Sequence, residues 1–177
     1  EISLDFHWIF PTDWAYTAFF FVYAQKTLEF WASNIVITEY LFGRGIDFEI
    51  INYCISKDLI FESLPYHNVV FVGYDEKKEP KYAAYRSTNK RRIIGDCSGS
   101  KKDYSFRLGK ENLEEVHLFE CAIDLLSYAT LAKLNGQDWK EMSFVSLSGV
   151  YSPAKKIEDS KVPIALEKYL GSNPYPF

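Results

Sequence analysis

The sequence predicts a protein of the α/β class, and two patterns indicate it. Between residues 114 and 170, apolar segments of strand length alternate with segments of helical spacing. That order is typical of a parallel sheet covered by helices. Upstream, two β-forming runs flank a charged turn, as in a β-hairpin. We therefore expect an α+β part that contains a hairpin, followed by a βαβα unit.

The elements of the βαβα unit are marked by their apolar residues and end signals. The helix is predicted at Ala122–Leu134, where apolar residues recur at helical spacing and Gly136 follows the last of them. Pro163 suits the first turn of the last helix. The remaining elements are strands at 115–119 and 143–147 and a helix at 164–170.

The upstream part is predicted to hold two helices, a hairpin and a further short strand. Asp47 precedes a helical segment and is a residue type that caps helices. The hairpin turn contains the charged residues 75–80, and residues 87–103 form a polar loop. The helices are predicted at 36–42 and 48–56, the hairpin strands at 68–74 and 81–86, a short strand or turn at 58–63, and the last strand at 104–108.

Composition limits the classes of function. The chain has 177 residues and a formal net charge of −4. Proteins that coat duplex DNA without specificity are usually basic, so that class is disfavoured, although a local basic patch stays possible. Aromatic residues reach 18 %, which suits a dense core, base-stacking platforms or surfaces for partners.

Three cysteines, Cys54, Cys97 and Cys121, are widely spaced and form no C-x-x-C pair. The sequence therefore predicts reduced thiols in a cytoplasmic protein, with neither a zinc site nor a disulfide framework. The apolar run 14–24 is shorter than the roughly 20 residues that span a bilayer. Residues 1–34 are rich in aromatic side chains, and their role is open.

Two carboxylates, Glu120 and Asp124, carry the strongest chemical pattern. They lie four residues apart where a predicted strand passes into a predicted helix. Ligands of open α/β sheets bind at that end of the strands, and paired carboxylates suit Mg²⁺. The alternative is structural, because acidic residues also stabilise the first turn of a helix.

A basic loop provides a second candidate. Gly99, Ser100, Lys101 and Lys102 are predicted to present free backbone N–H groups beside two ammonium groups, which makes an anion site. A solvated hairpin loop is the alternative. Arg44 stands between two glycines, where a helix-ending turn is also a sufficient explanation.

These motifs, taken in order, resemble a known family. Residues 118–126 resemble the first motif of the Toprim fold, which has a Glu on a strand-to-helix turn and an Asp four residues later. Residues 144–150 resemble the second Toprim strand and its small-residue turn. The upstream stretches 40–47, 68–75, 83–86 and 99–106 resemble the domain that precedes Toprim in proteins of bacterial mobile elements, which is similar to the basic subdomain of replicative primases.

The resemblance covers about residues 36–172 and implies an organisation. Residues 35–110 would form a primase-like accessory domain, and residues 111–177 the first βαβα half of a Toprim domain. The aromatic-rich segment 1–34 matches nothing in this pattern.

The resemblance also implies roles for particular residues. Glu120 would be the acid/base or metal-associated carboxylate of phosphoryl transfer, and Asp124 its neighbour, with Mg²⁺ or Mn²⁺ as the cofactor. Four basic residues, Arg44, Arg86, Lys101 and Lys102, would contact the phosphates of nucleic acid or of nucleotides. Single-stranded DNA is the expected nucleic-acid partner.

The pattern departs from the family in two ways. Toprim domains hold the metal with an Asp-x-Asp motif on a third strand, and residues 168–177 lead toward that strand without containing the motif. Lys101 also stands where many relatives carry an acidic residue. We therefore expect weak metal binding and an inactive chain by itself, although the parent protein would be a primase-like nucleotidyltransferase or a nuclease. The alternative is a non-catalytic module that binds single strands or a protein partner.

Overall fold

The computed structural model describes residues 34–111, 113–152 and 154–172. It confirms the α/β class. The aromatic-rich segment 1–34 lies, except for Asn34, outside the described residues. Within the described ranges, no helix combines the length and the apolar character that crossing a membrane requires.

The described chain contains four α-helices and seven strands, with short 3₁₀ turns between them. The helices are α1 (Ile35–Gly43), α2 (Phe48–Ser56), α3 (Ala122–Leu134) and α4 (Ile164–Ser172). The strands are β1 (Ile60–Glu62), β2 (Val69–Tyr74), β3 (Pro80–Arg86), β4 (Ile94–Asp96), β5 (Arg107–Gly109), β6 (His117–Phe119) and β7 (Ser143–Ser146).

The first sheet is antiparallel, with the strand order β1-β2-β3-β4. Strands β2 and β3 form the predicted hairpin, in which Val70 lies opposite Tyr85. Strand β4 falls inside the predicted loop 87–103, so that loop assignment was wrong. Its pairing with β3 creates the strand, whereas the exposed Ile94–Asp96 segment lacks the alternation that marks a strand in sequence.

The second sheet is mixed, with the strand order β5-β7-β6. Strands β6 and β7 are parallel, and α3 connects them, as the sequence predicted. Strand β5 runs antiparallel to β7. The predicted strand 104–108 is displaced, because Lys102–Tyr104 forms a 3₁₀ turn and the strand begins at Arg107.

One apolar core is shared by the predicted accessory and Toprim parts. The rings of Tyr53 and Trp139 meet edge to face, with centroids 5.0 Å apart, and β5 pairs with β7 across the predicted boundary. The division at residues 110 and 111 therefore stays a prediction. The fully buried members of this core include Leu41, Ile50, Phe106, Leu125, Leu126 and Phe144.

The first sheet and the chain leading into β5 approach each other closely at Gly73. A Cβ atom at this position would lie 1.7 Å from the backbone oxygen of Tyr104. Only a residue without a side chain permits this contact. Gly73 therefore fixes the separation between β2 and the basic segment that precedes β5.

Helix α2 begins with the predicted cap. The Asp47 side chain accepts a hydrogen bond from the Glu49 N–H at 2.8 Å, which satisfies one of the N–H groups left open at a helix start. The same carboxylate pairs with Lys133 of α3 at 2.6 Å, and the Asp47 N–H donates to Thr130 Oγ1 at 3.0 Å. The start of α2 is thereby attached to α3.

Helix α1 begins on a buried carboxylate instead of a local cap. Glu62 of β1 accepts a hydrogen bond from the Ile37 N–H at 3.4 Å. Its side chain is 2 % exposed, and it also lies 2.5 Å from Nδ1 of His67. A residue 25 positions away therefore supplies the acceptor that the start of α1 lacks.

Candidate functional site

The carboxyl ends of β6 and β7 meet at one edge of the second sheet. Phe119 lies beside Ser146 in the parallel register, so the residues that follow both strands emerge together. The Leu147 N–H donates to the carbonyl of Phe119 at 2.7 Å, and the Gly149 N–H donates to that of Glu120 at 2.9 Å. We refer to Glu120, Asp124 and residues 146–149 as the strand-end site.

The turn after β7 has an unusual backbone. Ser148 has φ = +56°, and Gly149 has φ = +97°. Left-handed conformations of residues other than glycine are uncommon and often occur where a backbone is held for function. This turn presents the carbonyl of Ser148 to the basic loop described below.

Glu120 and Asp124 are both exposed at this edge. Glu120 directly follows β6 and precedes Cys121, which lies at the N-cap position of α3. Asp124 lies in the first turn of α3, and its Oδ2 accepts a hydrogen bond from the Cys121 thiol at 3.1 Å. The pKa of that thiol is raised, chiefly by its burial.

Lys102 joins the basic loop to the strand-end site. Its Nζ donates to the carbonyl oxygen of Ser148 at 3.0 Å and lies 3.0 Å from Oδ2 of Asp96. The other oxygen of Asp96 accepts a hydrogen bond from the Tyr82 hydroxyl at 2.8 Å. Burial is the main reason why the pKa of that hydroxyl is raised. Lys102 is thus fixed between a carboxylate and the turn beside Glu120.

The expected set of free backbone donors around Lys101 is not present as predicted. The Ser100 N–H donates to the carbonyl of Cys97 at 3.1 Å, and the Lys101 N–H donates to that of Lys81 at 2.9 Å. Both donors are used within the fold because the loop folds back onto β3. The anion-binding capacity of this loop therefore resides in its ammonium groups, and Lys101 is exposed.

The other two predicted phosphate contacts, Arg44 and Arg86, gather around Tyr40. The Arg86 Nε donates to the Tyr40 hydroxyl at 2.8 Å, and the Arg44 guanidinium lies 5.9 Å from the centre of the Tyr40 ring. Arg86 lies four residues after Tyr82 on β3, which is about 13 Å along a strand. The predicted basic residues therefore form two groups.

The strand-end site was predicted from the sequence to bind Mg²⁺. In the described part of the chain, no three His, Cys, Asp or Glu side chains form a group that could hold a metal. Mg²⁺, however, commonly binds through one or two carboxylates and takes its other ligands from phosphates and water. Glu120 and Asp124 are the two carboxylates of the strand-end site, and both are exposed.

Three residues that position Lys102 were not predicted from the sequence, namely Tyr82, Asp96 and Ser148. Tyr82 looked like an ordinary strand residue, and Asp96 lay in a segment read as a loop. Ser148 was recognised only as part of a small-residue turn. Each takes its place through contacts between residues distant in sequence, which no local pattern reveals.

A family model matches part of the chain. The model of a family described as "Protein of unknown function (DUF3991)" matches residues 39–112. The match contains Arg44, Arg86, Lys101 and Lys102, and it ends before β6 and Glu120. No curated protein matches the chain, and no solved structure matches it.

Proposed function

We propose that this chain is part of a Toprim protein of bacterial mobile elements that acts on nucleic acid by Mg²⁺-dependent phosphoryl transfer in the cytoplasm. The observation that carries the proposal is the contact of Lys102 with Ser148. It brings the basic loop to the turn whose next residue, Gly149, is hydrogen-bonded to Glu120. A cationic group beside exposed carboxylates at the carboxyl ends of parallel strands suits the binding of phosphodiesters.

Each residue has a role in the proposed reaction. Glu120 accepts the proton of the attacking hydroxyl group. The oxygen of that hydroxyl group forms a bond to phosphorus while the bond between phosphorus and the leaving oxygen breaks. Lys102 and Lys101 hold the phosphate oxygens. A divalent cation bound by Glu120 and Asp124 would neutralise the charge that develops on the phosphate.

The proposed substrate is single-stranded DNA, with nucleotides as the second reactant if the parent is a primase-like nucleotidyltransferase. A nuclease would use water in place of the attacking hydroxyl. Arg44 and Arg86, gathered at Tyr40, would hold phosphates farther along the strand. Arg86 lies about 13 Å from Tyr82 along β3, which corresponds to a few nucleotides of an extended chain, so both basic groups can serve one strand.

The test is Mg²⁺-dependent primer synthesis or strand cleavage by the full-length protein that contains this chain. We expect Glu120→Gln to abolish the activity, because the amide can neither accept the proton nor bind Mg²⁺ as a carboxylate does. Glu115→Gln is the matched control, since Glu115 is also exposed and lies before β6. If Glu120→Gln and Glu115→Gln both retain full activity, the proposed role of Glu120 is wrong.

A non-catalytic module is the second candidate, and the small number of carboxylates favours it. The strand-end site as defined above contains two acidic side chains, Glu120 and Asp124, and both are exposed. Such a module binds single strands without metal, and its affinity is unchanged in Glu120→Gln. Metal-independent binding together with inactivity of the full-length protein would establish this alternative. A third hypothesis is that the aromatic side chains of residues 1–34 dock a protein partner, and this segment lies, except for Asn34, outside the described residues.

A further inference from the structure

A cavity lies away from the strand-end site. Its volume is about 510 Å³, and it lies between the end of α2, the turn after β2 and the edge formed by β5 and β7. Neither Glu120 nor Lys102 lines it. We call it the β5 cleft. Its volume is within the range of roughly 300–1,000 Å³ that is usual for sites of small organic ligands.

The β5 cleft is cationic although the chain as a whole is acidic. Four basic residues line it and three acidic ones, namely Lys57, Lys78, Arg107 and Lys110 against Asp58, Asp75 and Glu111. The whole chain, in contrast, has a net charge of −4. A local excess of positive charge on an acidic protein favours an anionic ligand at this place.

Several basic side chains that line the cleft form no ion pair with a described residue. Asp75 pairs with Lys81 at 3.5 Å, and Lys110 pairs with Glu141 at 2.8 Å. Within the described ranges, no carboxylate lies within ion-pairing distance of Lys57, Lys78 or Arg107. These three cations are therefore available to a ligand.

Arg107 gives the most direct indication that the cleft binds an anion. Its Nε–H is buried and has no hydrogen-bond partner among the described residues. A terminal nitrogen donates to the carbonyl of Asp103 at 3.3 Å, and the guanidinium lies 5.4 Å from the centre of the Tyr169 ring. A buried N–H of a charged group without an acceptor is destabilising. An anionic oxygen bound beside Arg107 would provide the acceptor if the guanidinium turned toward the cleft.

The remaining walls favour an organic ligand over a bare inorganic ion. Tyr53, Tyr74 and Tyr169 line the cleft together with Leu59 and Leu108. Small-molecule sites typically combine such apolar and aromatic walls with a few polar groups that orient the ligand. Guanidinium and ammonium groups bind phosphate well, and arginine does so with two parallel hydrogen bonds.

We propose that the β5 cleft binds a small phosphorylated organic molecule of mononucleotide size. Arg107, Lys57 and Lys78 hold its phosphate, and the tyrosine-lined wall contacts its organic part. This site is separate from the strand-end site, and the proposal does not rest on phosphoryl transfer at Glu120. A ligand bound in the β5 cleft would connect α2 to β5, because Lys57 and Arg107 belong to different parts of the fold.

The experiment is calorimetric titration of the protein with ATP, with AMP and with pyrophosphate, and NMR mapping with the same ligands. We expect saturable binding of a nucleotide, with shifts of the amide signals of Gly73 and Gly109, which line the cleft. The double variant Lys57→Gln/Lys78→Asn should weaken the affinity about tenfold or more. Asparagine suits position 78 because Lys78 has φ = +61° and asparagine tolerates that conformation.

Controls separate this site from the first one. Lys155→Gln removes an exposed charge outside the cleft and should leave the affinity unchanged. Glu120→Gln should also leave it unchanged, whether or not that residue is catalytic. Arg107→Lys keeps the charge but loses the paired hydrogen bonds, and should weaken binding with little loss of stability.

Three outcomes would overturn the proposal. The first is the absence of saturable binding by both nucleotides, and the second is equal affinity in the double variant and the wild-type protein. The third is binding of pyrophosphate with the same affinity as the nucleotides, because the organic part would then make no contribution.

Discussion

Lys102 donates a hydrogen bond across 46 residues to the carbonyl oxygen of Ser148, at 3.0 Å. This contact joins the segment before β5 to the turn after β7. It also places a cation that is paired with Asp96 beside a turn hydrogen-bonded to Glu120. Because one lysine makes both contacts, the position of the basic loop depends on the fold of the second sheet.

The first prediction concerns phosphate contacts by Lys101 and Lys102. If each ammonium group contacts one phosphate, Lys101→Gln and Lys102→Gln should each reduce the slope of log affinity against log salt by about 0.7 for single-stranded DNA. The measurement is fluorescence anisotropy of a labelled oligonucleotide over a range of salt concentrations. Lys155→Gln is the control for the loss of one charge. An unchanged slope in both loop variants would exclude these contacts.

The second prediction concerns Gly73. Gly73→Ala should destabilise the protein by at least about 1–3 kcal/mol, because the new Cβ would lie 1.7 Å from the Tyr104 oxygen. Urea unfolding measures this loss. Gly43→Ala is the matched control, since nothing lies within 4 Å of a Cβ there, and it should be neutral or slightly stabilising. Equal stability of the two variants would contradict the close approach.

The third prediction concerns the pH dependence of the Asp47–Lys133 pair. The hydrogen bond from Lys133 is the main cause that lowers the pKa of Asp47 from its ordinary value of 3.8. A carboxylate with a lowered pKa stabilises the fold above its unfolded pKa, and this contribution is lost as the pH falls through the folded pKa.

Asp47→Asn retains a capping oxygen and removes the charge. It should reduce the unfolding free energy at neutral pH by about 0.2–1 kcal/mol, because the pair is partly exposed. The difference from the wild-type protein should disappear well below pH 3.8. Asp47→Ala also removes the cap and should lose about a further 1 kcal/mol that persists at low pH. A difference for Asp47→Asn that is the same at both pH values would refute this account.

The fourth prediction concerns thiol reactivity. Burial raises the pKa of the Cys54 thiol to about 12, and the thiolate is the reactive form. Alkylation followed by mass spectrometry should therefore modify Cys97 and Cys121, which are partly buried, well before Cys54. Modification of Cys54 should follow global unfolding, so it should accelerate with denaturant. Equal rates for all three thiols in the native protein would show that Cys54 is accessible.

The sequence by itself determined the regular elements whose signals are local. The cap at Asp47, the helix at Ala122–Leu134 and the hairpin formed by β2 and β3 all follow from neighbouring residues, because capping and apolar periodicity act over a few positions. The βαβ order of β6, α3 and β7 was also predicted from the sequence. It placed Glu120 at the end of a parallel strand.

Only the tertiary structure decided which side chains meet. Strand β4 exists because β3 provides its hydrogen bonds, and Glu62 satisfies the start of α1 from 25 residues away. The contact of Lys102 with Ser148 and the unpaired Nε of Arg107 likewise depend on how the two sheets pack. Such contacts join residues distant in sequence, and their geometry is set by the packing of the whole core. No local or periodic pattern of the sequence therefore predicts them.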